Sequence, residues 1–237
     1  MSISENIHNI RAEIRKAAIE AGRDPDSIKL CAATKMNSSE NIRQAIEAGV
    51  DCCGENRVQE FLMKYSQNAY EGAPVHFIGH LQTNKVRQVV GKVSLIQSVD
   101  SFRLLDAIQA EAAKQNIVQN VLLEINVGEE ASKSGFLPSQ IYDVCSRLSN
   151  YPNIFVEGFM AIPPIPQNQG DNLKFFQKIY HLSVDITTKK YDNIRVGILS
   201  MGMSNDFRDA IACGSTMIRI GTAIFGARDY TKKDINN

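Results

Sequence analysis

IRVGILSMGMSNDFRDAIACGSTMIRIG, residues 194–221, holds the repeating unit of the fold. An apolar run (194–201) leads through a Gly/Ser turn and an amphipathic stretch into a second apolar run, TMIRIG (216–221). Runs this short, rich in β-branched residues and bounded by glycine, read as strands. Working outward, the same signal recurs at IKLCAAT (28–34), VDCCG (50–54), VHFIG (75–79), SLIQSV (94–99), NVLLEINV (120–127) and IFVEGFMA (154–161). Helical patterns separate them, among them SSENIRQAIEAG (38–49), with Ser38 or Ser39 as N-cap and Gly49 closing, and SFRLLDAIQAEAAKQN (101–116), with Ser101 as a cap. An opening helix over about 3–21 ends at Gly22, before an Asp24-Pro25 turn. The strand–helix unit repeats about every 30 residues. Strands apolar on both faces and separated by helices call for a parallel sheet covered on both sides. Eight of them predict an α/β fold, a (β/α)8 TIM barrel with an additional N-terminal helix.

The chain of 237 residues is consistent with one such barrel, and no linker interrupts it. Pro-rich AIPPIPQNQGD (161–171) reads as a loop after the sixth strand. We therefore expect one domain over residues 1–230 and a disordered tail at 231–237, TKKDINN. With 26 Lys+Arg against 26 Asp+Glu, there is no long-range attraction for polyanions, so neither nucleic acid nor an anionic membrane is an expected partner. The polar amphipathic N-terminus lacks the apolar stretch of a secretory signal, which predicts a cytoplasmic protein. Cys31, Cys52, Cys53, Cys145 and Cys213 lack the spacing of a zinc site and read as reduced, buried residues; no metal is expected.

In such a barrel the functional face lies where strands end. Lys35 follows the first strand, Asn56 the second, His80 the third and Asn126 the fifth; the seventh runs into Ser200-Met201-Gly202-Met203-Ser204 and the eighth into Arg219-Ile220-Gly221-Thr222. The loops after strands seven and eight are where these barrels hold phosphate, on backbone N–H groups beside a helix start, here with Ser204 or Asn205 as the helix cap. A lysine drawn toward the mouth, its pKa lowered by burial or a nearby cation, is an amine that condenses with an aldehyde. Arg219, between Ile218 and Ile220, needs a partner to be tolerated in an apolar strand. Lysine, arginine and a phosphate cup on one rim indicate a phosphorylated aldehyde. His80 either orients that ligand or satisfies loop carbonyls, and Asn56 either meets a ligand oxygen or caps the following helix. Lys85 and Arg87 read as a solvated helix face, Met201 and Met203 as packing residues, and Lys133 as a further lysine within reach of the mouth. No G-x-S-x-G elbow or defensible carboxylate pair is present, so no catalytic residue is assigned.

Taken together, AATKM (32–36), GENRVQE (54–60), HFIGHLQTNK (76–85), SVDS (98–101), EINVGEEASKSGF (124–136), GFMAI (158–162) and residues 199–226 resemble the pyridoxal phosphate homeostasis protein family. These are single-domain barrels similar to the N-terminal domain of alanine racemase. Val75 departs from the pattern, since the family usually has an aromatic there. The resemblance implies pyridoxal 5'-phosphate (PLP) as cofactor, held as a Schiff base on Lys35. It places Arg219 near the pyridine nitrogen and Ser200, Met201, Ser204, Gly221 and Thr222 around the phosphate. Asn56 and His80 are implied to line the pocket, and Lys133 resembles a secondary lysine of the family.

The resemblance also implies a non-enzyme that buffers PLP and delivers it to PLP-dependent apo-enzymes. Similar racemases carry a second domain that supplies a catalytic tyrosine, whereas this chain ends about 16 residues after its eighth strand. The alternatives are a PLP-dependent amino-acid racemase with a reduced site, and a Schiff-base aldolase without cofactor. A monomer is expected, because no long apolar helix stripe is left over once the barrel is built.

Overall fold

A computed structural model describes residues 1–226. The expected tail at 231–237 lies outside the described residues. Eight parallel strands close into a barrel in chain order: β1 (Lys29–Ala33), β2 (Cys52–Glu55), β3 (Val75–Phe77), β4 (Leu95–Val99), β5 (Gln119–Ile125), β6 (Ile154–Ala161), β7 (Ile194–Ser200) and β8 (Met217–Ile220). Strand β8 returns to β1, with Cys31 opposite Arg219 and Ala32 opposite Ile220.

Alternation along the strands divides the core in two. Leu30, Ala32, Cys53, Phe77, Ile96 and Ile218 belong to the main cluster between sheet and helices. Cys31, Cys52 and Met217 pack together apart from it, as do Leu95, Leu122 and Met160, and Ile198 touches both groups. These fill the barrel interior. All five cysteines are buried and unpaired, as read from the sequence.

The outer layer is α1 (Ile3–Glu20), α2 (Ser39–Glu47), α3 (Val58–Ser66), α4 (Phe102–Lys114), α5 (Ile141–Ser146), α6 (Leu173–Lys189), α7 (Phe207–Ala212) and the one-turn α8 (Thr222–Phe225). Helix α1 opens with a capping box, Ser2 with Glu5, and α2 and α4 are capped by Ser38 and Ser101. The apolar stripe of α1, Ile7, Ile10, Ile14, Ala17 and Ala18, joins the main core and packs beside α2, α7 and α8. After β3 the helical segment is a 3-10 helix, Thr83–Gln88, in which Arg87 is exposed and Lys85 half-buried. Gly158 bends β6: at φ 148° a Cβ there would lie 1.9 Å from Ile198 O, across the register shift between β6 and β7. No described helix is long and apolar enough to cross a membrane.

Candidate functional site at the barrel mouth

Lys35 stands two residues beyond β1, half-buried, and its carbonyl accepts from Asn37 Nδ2 at 3.1 Å. Arg219 on β8 is 5% exposed. Its Nη1 donates to Ser200 O at 2.6 Å and Ser200 Oγ at 2.7 Å, and its Nη2 donates to Ala161 O at 3.0 Å. Those are the partners a guanidinium needs in an apolar strand. Among the described residues they use three of its five N–H groups, leaving one on Nη2 and that of Nε. Burial lowers the pKa of Arg219, opposed by Cys31, Glu124 and Asp206.

From Arg219 a hydrogen-bond chain runs into the barrel. An arginine only donates, so the Ser200 hydroxyl accepts from it and donates its own hydrogen bond to Gln97 Oε1 at 2.6 Å. Gln97 Nε2 then donates to His76 Nδ1 at 2.8 Å, which leaves the proton of the neutral ring on Nε2. Burial holds His76 in that neutral form by lowering its pKa to about 4. The donor atoms of Cys31, Cys52 and His76 all lie within 4.8 Å of one another, yet neither ring nitrogen keeps a lone pair for a cation in this arrangement. Strand periodicity gave no warning of Gln97 or His76, because both sit in runs that are apolar on either side.

The turns after β7 and β8 form the adjoining rim. Gly202, at φ 96°, packs the first turn onto α7: a Cβ would meet Ala210 Cβ at 2.6 Å. The helix is not capped by Ser204 or Asn205, as the sequence had indicated, but begins at Asp206. That carboxylate is buried and turned away from its own helix, accepting from Met203 N at 2.7 Å and Asn172 Nδ2 at 2.8 Å. Turn and α6 are thereby tied together, and the Ser204 side chain is not drawn into capping. Among the described residues, the amides of Ser204, Asn205, Thr222 and Ala223 carry no hydrogen bond. Gly221 lies close to the end of β1, where a Cβ would stand 3.3 Å from Ala33 O. Met201 is fully buried in the outer core and its amide donates to Met217 O at 3.1 Å, so a ligand contact from that amide would have to displace this bond.

Asn56 does not cap α3, whose N-cap is Arg57. Among the described residues its Oδ1 is buried without a hydrogen-bond partner, and Gly79 presses on its backbone, where a Cβ would lie 2.2 Å from Asn56 O. Among the described residues His80 satisfies no loop carbonyl; its Nδ1 pairs with Asp100 Oδ2 at 3.0 Å and the ring is otherwise exposed. Beside it opens a cavity of about 640 Å³, with Thr83, Asp100, Arg103 and Lys133 in its wall, where Lys133 pairs with Glu130 at 2.7 Å. Glu124, near the end of β5, went unread in the sequence. Burial first, and Asp100 second, push its carboxyl up to about 7 against the opposing pull of Arg219 and His80. A single Glu in an apolar strand is the signal that was available.

The fold and mouth therefore define a (β/α)8 barrel whose C-terminal face combines a lysine, a hydrogen-bonded arginine and two turns with unused amides. The alanine racemase N-terminal domain model matches residues 5–229, and the chain belongs to that family, within it to the pyridoxal phosphate homeostasis proteins. It is 44% identical to the pyridoxal phosphate homeostasis protein of Aquifex aeolicus over 97% of this chain and 100% of that one. A crystal structure of a protein from Bifidobacterium adolescentis superposes with TM-score 0.89 at 35% identity, over 94% of each chain. PipY of Synechococcus elongatus, solved with PLP bound, superposes with TM-score 0.82 at 28% identity, over 95% of this chain and 100% of that one.

Proposed function

We propose that this chain binds PLP at the barrel mouth and serves intracellular PLP homeostasis as a carrier, not a catalyst. Lys35 is the amine that condenses with the aldehyde, releasing water and leaving a Schiff base. The observation that carries the reading is the gathering of Lys35, the two spare N–H groups of Arg219 and the unpartnered turn amides on one rim. Amides and hydroxyls of Ser204, Gly221 and Thr222 suit a phosphate dianion. The guanidinium offers a donor to a ring nitrogen that carries no proton, and the orphaned Asn56 Oδ1 is an acceptor without an internal partner. Ser200 and Met201 hold Arg219 and the β7 turn behind these groups, and His80 with Asp100 borders the opening. PLP supplies an electrophilic aldehyde and a conjugated ring. The names of full-length relatives and the PLP-bound PipY structure support the choice of ligand.

Purified protein should show the absorption band of a lysine-bound PLP, lost in Lys35→Ala; an unchanged band in that variant would overturn the assignment. Delivery to PLP-dependent apo-enzymes by a cytoplasmic monomer completes the proposal.

One observation favours a second reading, a racemase with a reduced site. Glu124 carries a pKa of about 7 at the mouth, within the range of a general base. Exchange of the α-proton of L-alanine in deuterated water separates the two, since a carrier shows none above free PLP.

A further inference from the structure

Behind the end of β1 lies a buried ionic cluster that no part of the mouth uses. Lys64, 1% exposed, shares the inward face of α3 with Val58 and Phe61. Its ammonium has three protons and three acceptors: Thr34 O at 2.8 Å, Glu55 Oε1 at 2.6 Å and Glu60 Oε1 at 2.6 Å. Glu55, fully buried, also accepts from Thr34 Oγ1 at 2.6 Å. Glu60 accepts from the backbone amide of Met36. The chain is therefore gripped on both sides of residue 35, by the carbonyl of residue 34 and the amide of residue 36. Met36 itself stands at φ 62°, a conformation that side chains adopt reluctantly and that needs surrounding structure to hold it.

Stability alone is a poor account of this cluster. An apolar residue at 64 would be in phase with Val58 and Phe61, and replacing buried charges by packed hydrophobics is often neutral or stabilising. Burial is also the largest influence on the Glu55 carboxyl, raising its pKa against the pull of Lys64, a desolvation cost an apolar core would not carry. What the cluster does achieve is to fix one turn of backbone.

We propose that Lys64, acting through Thr34, Glu55 and Glu60, is a positioning residue that sets the backbone from which Lys35 meets an aldehyde. The inference rests on Lys35 being the reacting amine. A displacement of about 1 Å at a reacting group costs on the order of 100-fold, so the loss on removing the clamp is measurable.

The test compares two ligands in Lys64→Met, Lys64→Arg and Glu60→Gln. PLP reports covalent capture, through borohydride reduction and mass spectrometry of the Lys35 peptide. Pyridoxine 5'-phosphate, which has no aldehyde, reports the rest of the mouth. Lys64→Met should lower both PLP affinity and the reduced Lys35 adduct at least tenfold, with pyridoxine 5'-phosphate affinity kept within twofold. Lys64→Arg should recover part of the adduct. Glu60→Gln, whose side chain is only part-buried, should fold and lose about threefold, so it decides the matter if Lys64→Met does not fold. Unchanged adduct formation in folded variants overturns the proposal, as does an equal loss for both ligands. Lys35→Ala runs alongside: if it keeps the PLP band, the function itself is wrong, whereas its loss of the band beside unaffected Lys64 variants sinks the positioning role alone.

Discussion

Arg219 should be worth several kcal/mol to the folded barrel even without ligand. Arg219→Met keeps roughly the length and apolar stem of the side chain and deletes its donors. Ser200 O, Ser200 Oγ and Ala161 O then lose donors at 2.6, 2.7 and 3.0 Å, in a site where the arginine is 5% exposed. Each buried acceptor left unpaired costs about 1–3 kcal/mol. Against that stands relief of the guanidinium's desolvation, the dominant cause of its lowered pKa. Entry of water and rotation of Ser200 recover more, so we expect a net loss of about 2–4 kcal/mol. With a urea m-value of about 3 kcal/mol/M for a domain of this size, the unfolding midpoint falls by about 1 M. Arg219→Lys should recover only part, because one compact ammonium does not reproduce a fork spanning β6 and β7. Circular dichroism in urea, without PLP, measures both. A midpoint within about 0.3 M of the parent, at unchanged m, would refute the claim that these bonds hold the β6–β8 side of the mouth.

Glu124, at about 7, keeps its proton in the native state above the ordinary value of 4.5, so stability falls as pH rises through that window. Glu124→Gln should abolish the slope and gain up to about 3 kcal/mol at pH 8, read by urea unfolding at several pH values. His76, at about 4, refuses a proton the unfolded chain accepts from 6.5 downward, so it makes stability fall as pH drops; His76→Gln should flatten that acid limb. Between 4.5 and 6.5 the two slopes oppose one another, and only the two variants together reveal them. Gly158→Ala should open the β6–β7 seam, since its Cβ falls 1.9 Å from Ile198 O; we expect a loss of about 3 kcal/mol or more, and a melting temperature within about 2 °C of the parent would contradict the strain argument.

What could be read from the chain in advance was whatever lies along a strand or just past its end. Eight apolar runs at regular spacing required the barrel, and the barrel sent Lys35, Arg219 and the two Gly turns to one face, because parallel strands all end on the same side. Contacts between elements distant in sequence were not legible. Asp206 in place of Ser204 at the start of α7 depends on Asn172, which stands at the N-cap of α6 and has no local signature. His76 and Gln97 alternate with Phe77 and Ile96, but strands buried on both faces hide which side is the barrel interior.

Lys64 shows how such a contact can be found from sequence after all. In YSQ-preceding VQEFLMK, residues 58–64, a surface reading pairs Glu60 with Lys64 at i,i+4 and stops there. The stripe through Val58 and Phe61, however, reaches its next position at residue 64, so the lysine stands where the helix turns toward the sheet. A charge in an apolar phase must meet opposite charge or backbone carbonyls. Counting back, Glu55 follows Cys53 on the outward, helix-facing side of β2, and Thr34 directly follows β1, the neighbouring strand. Three local irregularities, a threonine, a glutamate and a lysine each out of phase with its element, thus compensate one another only if they meet. Where they meet is beside Lys35, which is why the cluster belongs with the chemistry of the mouth and not with the packing of α3.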